Sequence, residues 1–162
     1  MLNDKVNDYI STNNFNKILD SLDEGIHIVD EEGTTIVYNK KVSQIDGLNP
    51  EEVLGKNLFK AYPSLTLETS TLMQTLKTGE PINQKQQTFI NSKGKKITTI
   101  NTTVPIRFDN GSLGAMEISR DITQLEELVD NINDLRARVN GGKKGGSSKK
   151  KVKKKSANNN TN

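Results

Sequence analysis

One stretch limits the folds open to this chain more than any other. Between Lys95 and Thr123 it reads KKITTINTTVPIRFDNGSLGAMEISRDIT. Two β-rich runs flank Asp109-Asn110-Gly111, where Gly can supply the positive φ of a hairpin turn. The loop length decides how the side chains divide. If Asn110-Gly111 alone makes a two-residue loop, Ile106 faces Ala115 and Val104 faces Glu117, and both faces are mixed. If Asp109-Asn110-Gly111 makes a three-residue loop, Val104 pairs with Met116 and Thr102 with Ile118. Ile100 and Ile106 then share that apolar face. The opposite face carries Thr99, Asn101, Thr103, Pro105, Ala115, Glu117 and Ser119. Hydrophobic pattern fixes register, so the three-residue loop is expected. Pattern alone leaves open which face looks into the domain.

The 162 residues suffice for one domain with appendages, and the 31% hydrophobic content implies that part of the chain lies outside a core. The net charge of +3 conceals a division. Eight Lys and no acid follow Gly141, which leaves 15 basic residues against 20 acidic ones in residues 1–140, a net of −5. The chain has no Cys, so disulfides, thiolate metal sites and cysteine nucleophiles are excluded. No apolar run approaches the ~20 residues that span a bilayer. The opening MLNDKVNDYI lacks the apolar segment of a signal peptide. A cytoplasmic protein without membrane contact is expected.

Residues 1–22 hold Val6, Tyr9, Ile10, Phe15, Ile18, Leu19 and Leu22, and predict two helical pieces, the second capped by Asn13 or Asn14. Gly25–Asp30 and Thr34–Asn39 read as a hairpin turning at Glu31-Glu32-Gly33. Short helices follow at Lys40–Ile45, at Pro50–Leu54 after an Asn49 N-cap, and at Leu58–Tyr62. Thr66–Lys77 reads as a longer helix burying Leu67, Leu72, Met73 and Leu76. Asn83–Asn91 returns to strand and turns at Ser92-Lys93-Gly94 into the long hairpin. The expected fold class is α+β: a five-stranded antiparallel sheet with its helices on one face, flanked by an N-terminal amphipathic helix and a C-terminal coiled-coil helix.

In this order and spacing, GIHIVDEEG, IVYNKK, GLNPEEVLGKNL and the closing RDIT resemble a PAS domain over about Ile18–Thr123. GKKITTINTTVPI with ETSTLMQTLKTG resembles more narrowly the N-terminal sensor of RocR-like activators, sigma-54-dependent enhancer-binding regulators of amino-acid catabolism. The resemblance implies a PAS sensor at 23–123; apolar heptad spacing predicts a signalling helix at 124–140, and Gly/Lys/Ser/Asn composition without periodicity predicts a disordered Lys/Asn-rich linker or tail at 141–162. It also implies an AAA+ ATPase and a helix-turn-helix output in the full-length protein. The chain would then be a fragment, or a truncated or stand-alone product.

The resemblance turns the polar face of the hairpin inward. The apolar face is then covered by the N-terminal helix or a second subunit. The candidate ligand residues are His27, Gln87, Asn101, Thr103, Glu117 and Ser119, with Val29 and Phe89 also facing inward. Flavin-photosensor relatives need a Cys where Leu58 stands, and haem-binding relatives use a His in the long helix, which has none, so neither cofactor is expected. The single His and the absent Cys leave no metal site. A buried carboxylate at Glu117 would be costly unless a cation met it. A small amino acid or related amine would supply that cation, unless Glu117 pairs with Lys85, Arg120 or another internal partner, or faces solvent.

Asp121 and Thr123 close the hairpin, and Thr123 with Glu126 forms an expected capping box. Leu125, Leu128, Ile132, Leu135 and Val139 follow at 3-4-3-4 spacing, a seam for a homodimer. The function expected is a dimeric sensory module. The alternative is a stand-alone dimerisation or interaction protein that touches nucleic acid non-specifically through its lysine tail. No nucleophile–base arrangement supports an enzyme.

Overall fold

The computed structural model describes residues 10–142 together with Val6. The rest of the first N-terminal helical piece and the tail from residue 143 lie outside the described residues. The chain divides between Glu126 and Glu127 into two compact units.

The first described helix, α1, spans Thr12–Asp20 and is capped by Ser11, whose hydroxyl accepts from the Asn14 amide at 3.2 Å. The cap is therefore not Asn13 or Asn14. Ser11 is extended and its short side chain reaches the third helical amide, which puts both asparagines inside the first turn. Strands β1 (Gly25–Val29) and β2 (Thr35–Tyr38) form the expected hairpin. Helix α2 (Lys40–Asp46) follows Asn39, whose side-chain oxygen accepts from the Val42 amide at 3.1 Å and from the Ile26 amide at 2.9 Å. One cap thereby ties the helix start to β1. Helix α3 (Pro50–Val53) has Pro at its start, and the Glu52 carboxylate accepts from the Asn49 amide at 2.7 Å. Helix α4 spans Leu58–Ala61.

Helix α5 spans Thr71–Thr78, a turn shorter than expected. Thr66–Thr69 forms a separate turn, in which the Thr69 hydroxyl accepts from the Thr66 amide at 2.9 Å. Ser70 caps the helix through the Met73 amide. Leu72 is buried as predicted, Met73 and Leu76 pack against the core, and Leu67 falls outside the helix. Strands β3 (Ile82–Ile90), β4 (Lys96–Arg107) and β5 (Leu113–Asp121) lead into α6 (Thr123–Gly142). No helix among the described residues is long and apolar enough to cross a membrane.

The five strands form one antiparallel sheet in the order β2-β1-β5-β4-β3. The long hairpin has the three-residue loop. Val104 pairs with Met116 and Thr102 with Ile118. The Phe108 amide donates to the Ser112 carbonyl at 2.9 Å, and Gly111 takes φ 85°. The face left open by the pattern is settled by burial: Thr99, Asn101, Thr103, Ala115 and Ser119 are buried, whereas Ile100, Val104, Ile106, Met116 and Ile118 are only half-buried. The polar face looks inward. Val29 and Ala115 on that face join Leu58 and Leu72 in the main apolar cluster, and Tyr38, Val42 and Val53 make a second.

Candidate functional site

The inner sheet face and the segment from α2 to α5 enclose a cavity of about 520 Å³. That lies within the ~300–1,000 Å³ of small-molecule sites. Five of the six candidate ligand residues line it: His27, Gln87, Asn101, Glu117 and Ser119. Thr103 stands one layer behind, fully buried, with its hydroxyl 3.0 Å from that of Thr71 and 3.4 Å from Glu117 Oε2. Phe89 also lines the cavity, while Val29 belongs to the apolar cluster.

Glu117 gets its place from the register. It sits opposite Thr103 on β4 and opposite His27 on β1. Its carboxylate accepts from the hydroxyls of Thr71, Thr103 and Ser119. Burial pushes its pKa up, and these three hydroxyls offset part of that rise. Neither cation considered from the sequence reaches it: Arg120 pairs instead with Glu24 at 2.9 Å, and Lys85 makes no ion pair among the described residues. Glu117 is therefore a carboxylate held by neutral donors alone.

His27 is buried, its Nε2 is 2.8 Å from the Thr35 hydroxyl, and its ring meets Tyr38 edge-on at 5.1 Å. Burial lowers its pKa to about 3, so it is neutral at physiological pH. Gln87 donates to the Thr69 carbonyl at 3.1 Å and accepts from Asn101 Nδ2 at 2.7 Å. This leaves two buried oxygens on β4 without a partner, Asn101 Oδ1 and Thr99 Oγ1, and both residues line the cavity. An unpaired buried polar atom costs about 1–3 kcal/mol. Asn101 Oδ1 only accepts and the Thr99 hydroxyl accepts or donates, so a donor group can relieve both.

Several lining residues were not predicted from sequence. Asp46, the last residue of α2, lines the cavity, and its Oδ2 accepts from the Tyr38 hydroxyl at 2.8 Å and the Tyr62 hydroxyl at 2.6 Å. Burial raises its pKa to about 6, against the lowering by those two hydrogen bonds, and Glu117 adds to the rise. A signal was available: an acid in the last helical turn opposes the helix dipole. Thr71 is likewise a buried polar residue at the start of α5. No group of three or more metal-ligating side chains occurs among the described residues.

At the end of β5 the expected capping box is absent. Asp121 Oδ1 accepts from the Thr123 amide at 3.0 Å and from its hydroxyl at 2.6 Å. The Thr123 hydroxyl in turn accepts from the Thr98 amide at 3.0 Å, so the sheet uses it and the helix cap does not. Glu126 accepts from Gln86 Nε2 at 2.6 Å and does not reach back to Thr123. Along α6, Leu125, Leu128, Ile132, Leu135 and Val139 are exposed.

The model of a PAS fold family matches residues 19–127. The transcriptional activator RocR of Bacillus subtilis (strain 168) is 46% identical over 120 residues, which are 74% of this chain and 26% of that protein. The chain thus spans about a quarter of that relative's length. Among solved structures, the PAS domain of Bordetella pertussis BvgS is 21% identical with a TM-score of 0.55, over 76% of this chain and 95% of that one. A Vibrio cholerae VqmA chain is 16% identical with a TM-score of 0.58, over 72% of this chain and 53% of that one. At these identities the two structures bear on fold alone.

Proposed function

Since the chain belongs to the PAS family, we propose that it is the sensory module of a bacterial transcriptional regulator that binds a small cationic molecule, an amino acid or related amine, in the sheet cavity. The observation that carries this reading is Glu117, a half-buried carboxylate on the cavity wall with only hydroxyl partners among the described residues. A ligand ammonium beside it restores the charged form that burial disfavours. The unpaired oxygens of Asn101 and Thr99 accept the remaining donors. Binding energy comes from charge-assisted hydrogen bonds.

In this reading the ligand-filled sheet acts on α6, whose apolar seam pairs two copies. The similarity to RocR supports a regulator with an output region elsewhere in the full-length protein. No enzymatic step is part of the proposal.

Thermal-shift screening of amino acids and amines tests it. A ligand at ~100 times its Kd adds about 2.7 kcal/mol, which moves the midpoint by roughly 5 °C or more. At least one cationic compound is expected to give such a rise with the wild type and none with Glu117→Gln. If no amino acid or amine raises the wild-type midpoint, the ligand reading is wrong.

A further inference from the structure

We propose that Asp46 forms a second cation subsite in the same cavity, so that the ligand carries two cationic groups, one met by Glu117 and the other by Asp46. This rests on the reading of Glu117 above and deepens it.

Three observations lead there. Asp46 and Glu117 are the two charged side chains on the cavity wall, both acidic, and no Lys or Arg lines it among the described residues. Two carboxylates facing one 520 Å³ space repel each other. A single ammonium neutralises one and leaves the other half-buried and uncompensated.

The second observation is how Asp46 is held. Two tyrosine hydroxyls, themselves 3.3 Å apart, converge on Oδ2. Oδ1 receives no side-chain or backbone donor among the described residues, though the residue lines the cavity. The Tyr38–Tyr62 pair thus orients the carboxylate and leaves one oxygen for an occupant. Tyr62 also stands on the wall beside Asp46.

The third observation is independent of the acids. Asn101, 4% exposed, and Thr99, 1% exposed, both line the cavity, and each holds a buried oxygen without a partner. The cavity is therefore rich in acceptors across its sheet wall as well as at Asp46, which suits an occupant with donors at both ends. A diamine skeleton meets that demand, and a monoamine meets half of it.

The test is calorimetric titration of the full chain with 1,4-diaminobutane and with n-butylamine. It is done at about 0.15 M salt so that exposed charges are screened. On the wild type the diamine should bind at least tenfold more tightly. In Asp46→Asn the two should come within about twofold of each other. In Glu117→Gln both should weaken at least tenfold. The wild-type comparison, extended over diamines of three to six carbons, needs no variant and should show one preferred length. Equal binding of monoamine and diamine by the wild type, or a diamine preference that survives Asp46→Asn, overturns the second subsite and leaves the Glu117 reading standing. Failure of both amines to bind overturns the second subsite, and overturns the Glu117 reading as well where no amino acid raises the wild-type midpoint.

Discussion

His27 shows how a single residue reports on its surroundings. It is buried on β1 with one hydrogen bond, to Thr35, and burial lowers its pKa from 6.5 to about 3. Between those values the unfolded chain takes up a proton that the folded chain refuses. The stability that depends on neutral His27 is therefore intact above pH 6.5 and is lost as pH falls toward 3. Asp46 and Glu117, both raised by burial, act in the opposite sense at acid pH, so the contribution must be isolated by difference. His27→Gln should be less stable than wild type at pH 7. The gap should narrow below pH 6.5 by up to about 1.4 kcal/mol per pH unit in urea unfolding. A gap that stays constant from pH 7 to pH 4 would show that the folded chain holds the proton as readily as the unfolded one. At this scale the sequence made the strand residues of the site legible, because alternation assigns Asn101, Thr103, Glu117 and Ser119 to one face. Asp46, Tyr38 and Tyr62 were not legible. They are far apart in the chain, and only the packing of α2 and α4 over the sheet brings their oxygens together.

At the scale of the element, the β4–β5 hairpin rests on two glycines with different tasks. Gly111 takes φ 85° in the loop with open space where a Cβ would stand. Gly111→Ala should therefore cost only the left-handed backbone term, about 1 kcal/mol. Gly114 has room for no side chain: a Cβ there would lie 2.3 Å from the Val29 carbonyl oxygen and 2.6 Å from the Phe108 ring. Gly114→Ala should cost more, about 2–3 kcal/mol, because β1 or β5 must shift. Urea melts of the two variants would rank them, and the reverse order would contradict the strand packing described. The loop was readable because only one loop length separates polar from apolar residues. The start of α5 was not, since Thr66 and Ser70 both carry hydroxyls that can cap, and the turn at Thr66–Thr69 competes locally with helix.

At the scale of the molecule, the order of strands and helices among the described residues was legible from turn residues and the change of hydrophobic period. The partner of the C-terminal seam was not, since a seam states only that something apolar should cover it. If two copies pair there, Leu128→Glu with Ile132→Glu should shift sedimentation from dimer to monomer while the thermal midpoint of the sheet domain moves by no more than a few degrees. Unchanged sedimentation would place any self-association elsewhere. The root of that helix has a further consequence. Gln86 and Thr98 hold Glu126 and Thr123, and their immediate neighbours Gln87 and Thr99 stand on the cavity wall. Because side chains alternate along a strand, chamber and outlet are separated at both places by one peptide unit. A twist of β3 about its own axis that draws Gln87 toward an occupant must swing Gln86 the other way. The strand would then transmit as a short lever pivoting on the backbone, with no relay through the packed interior.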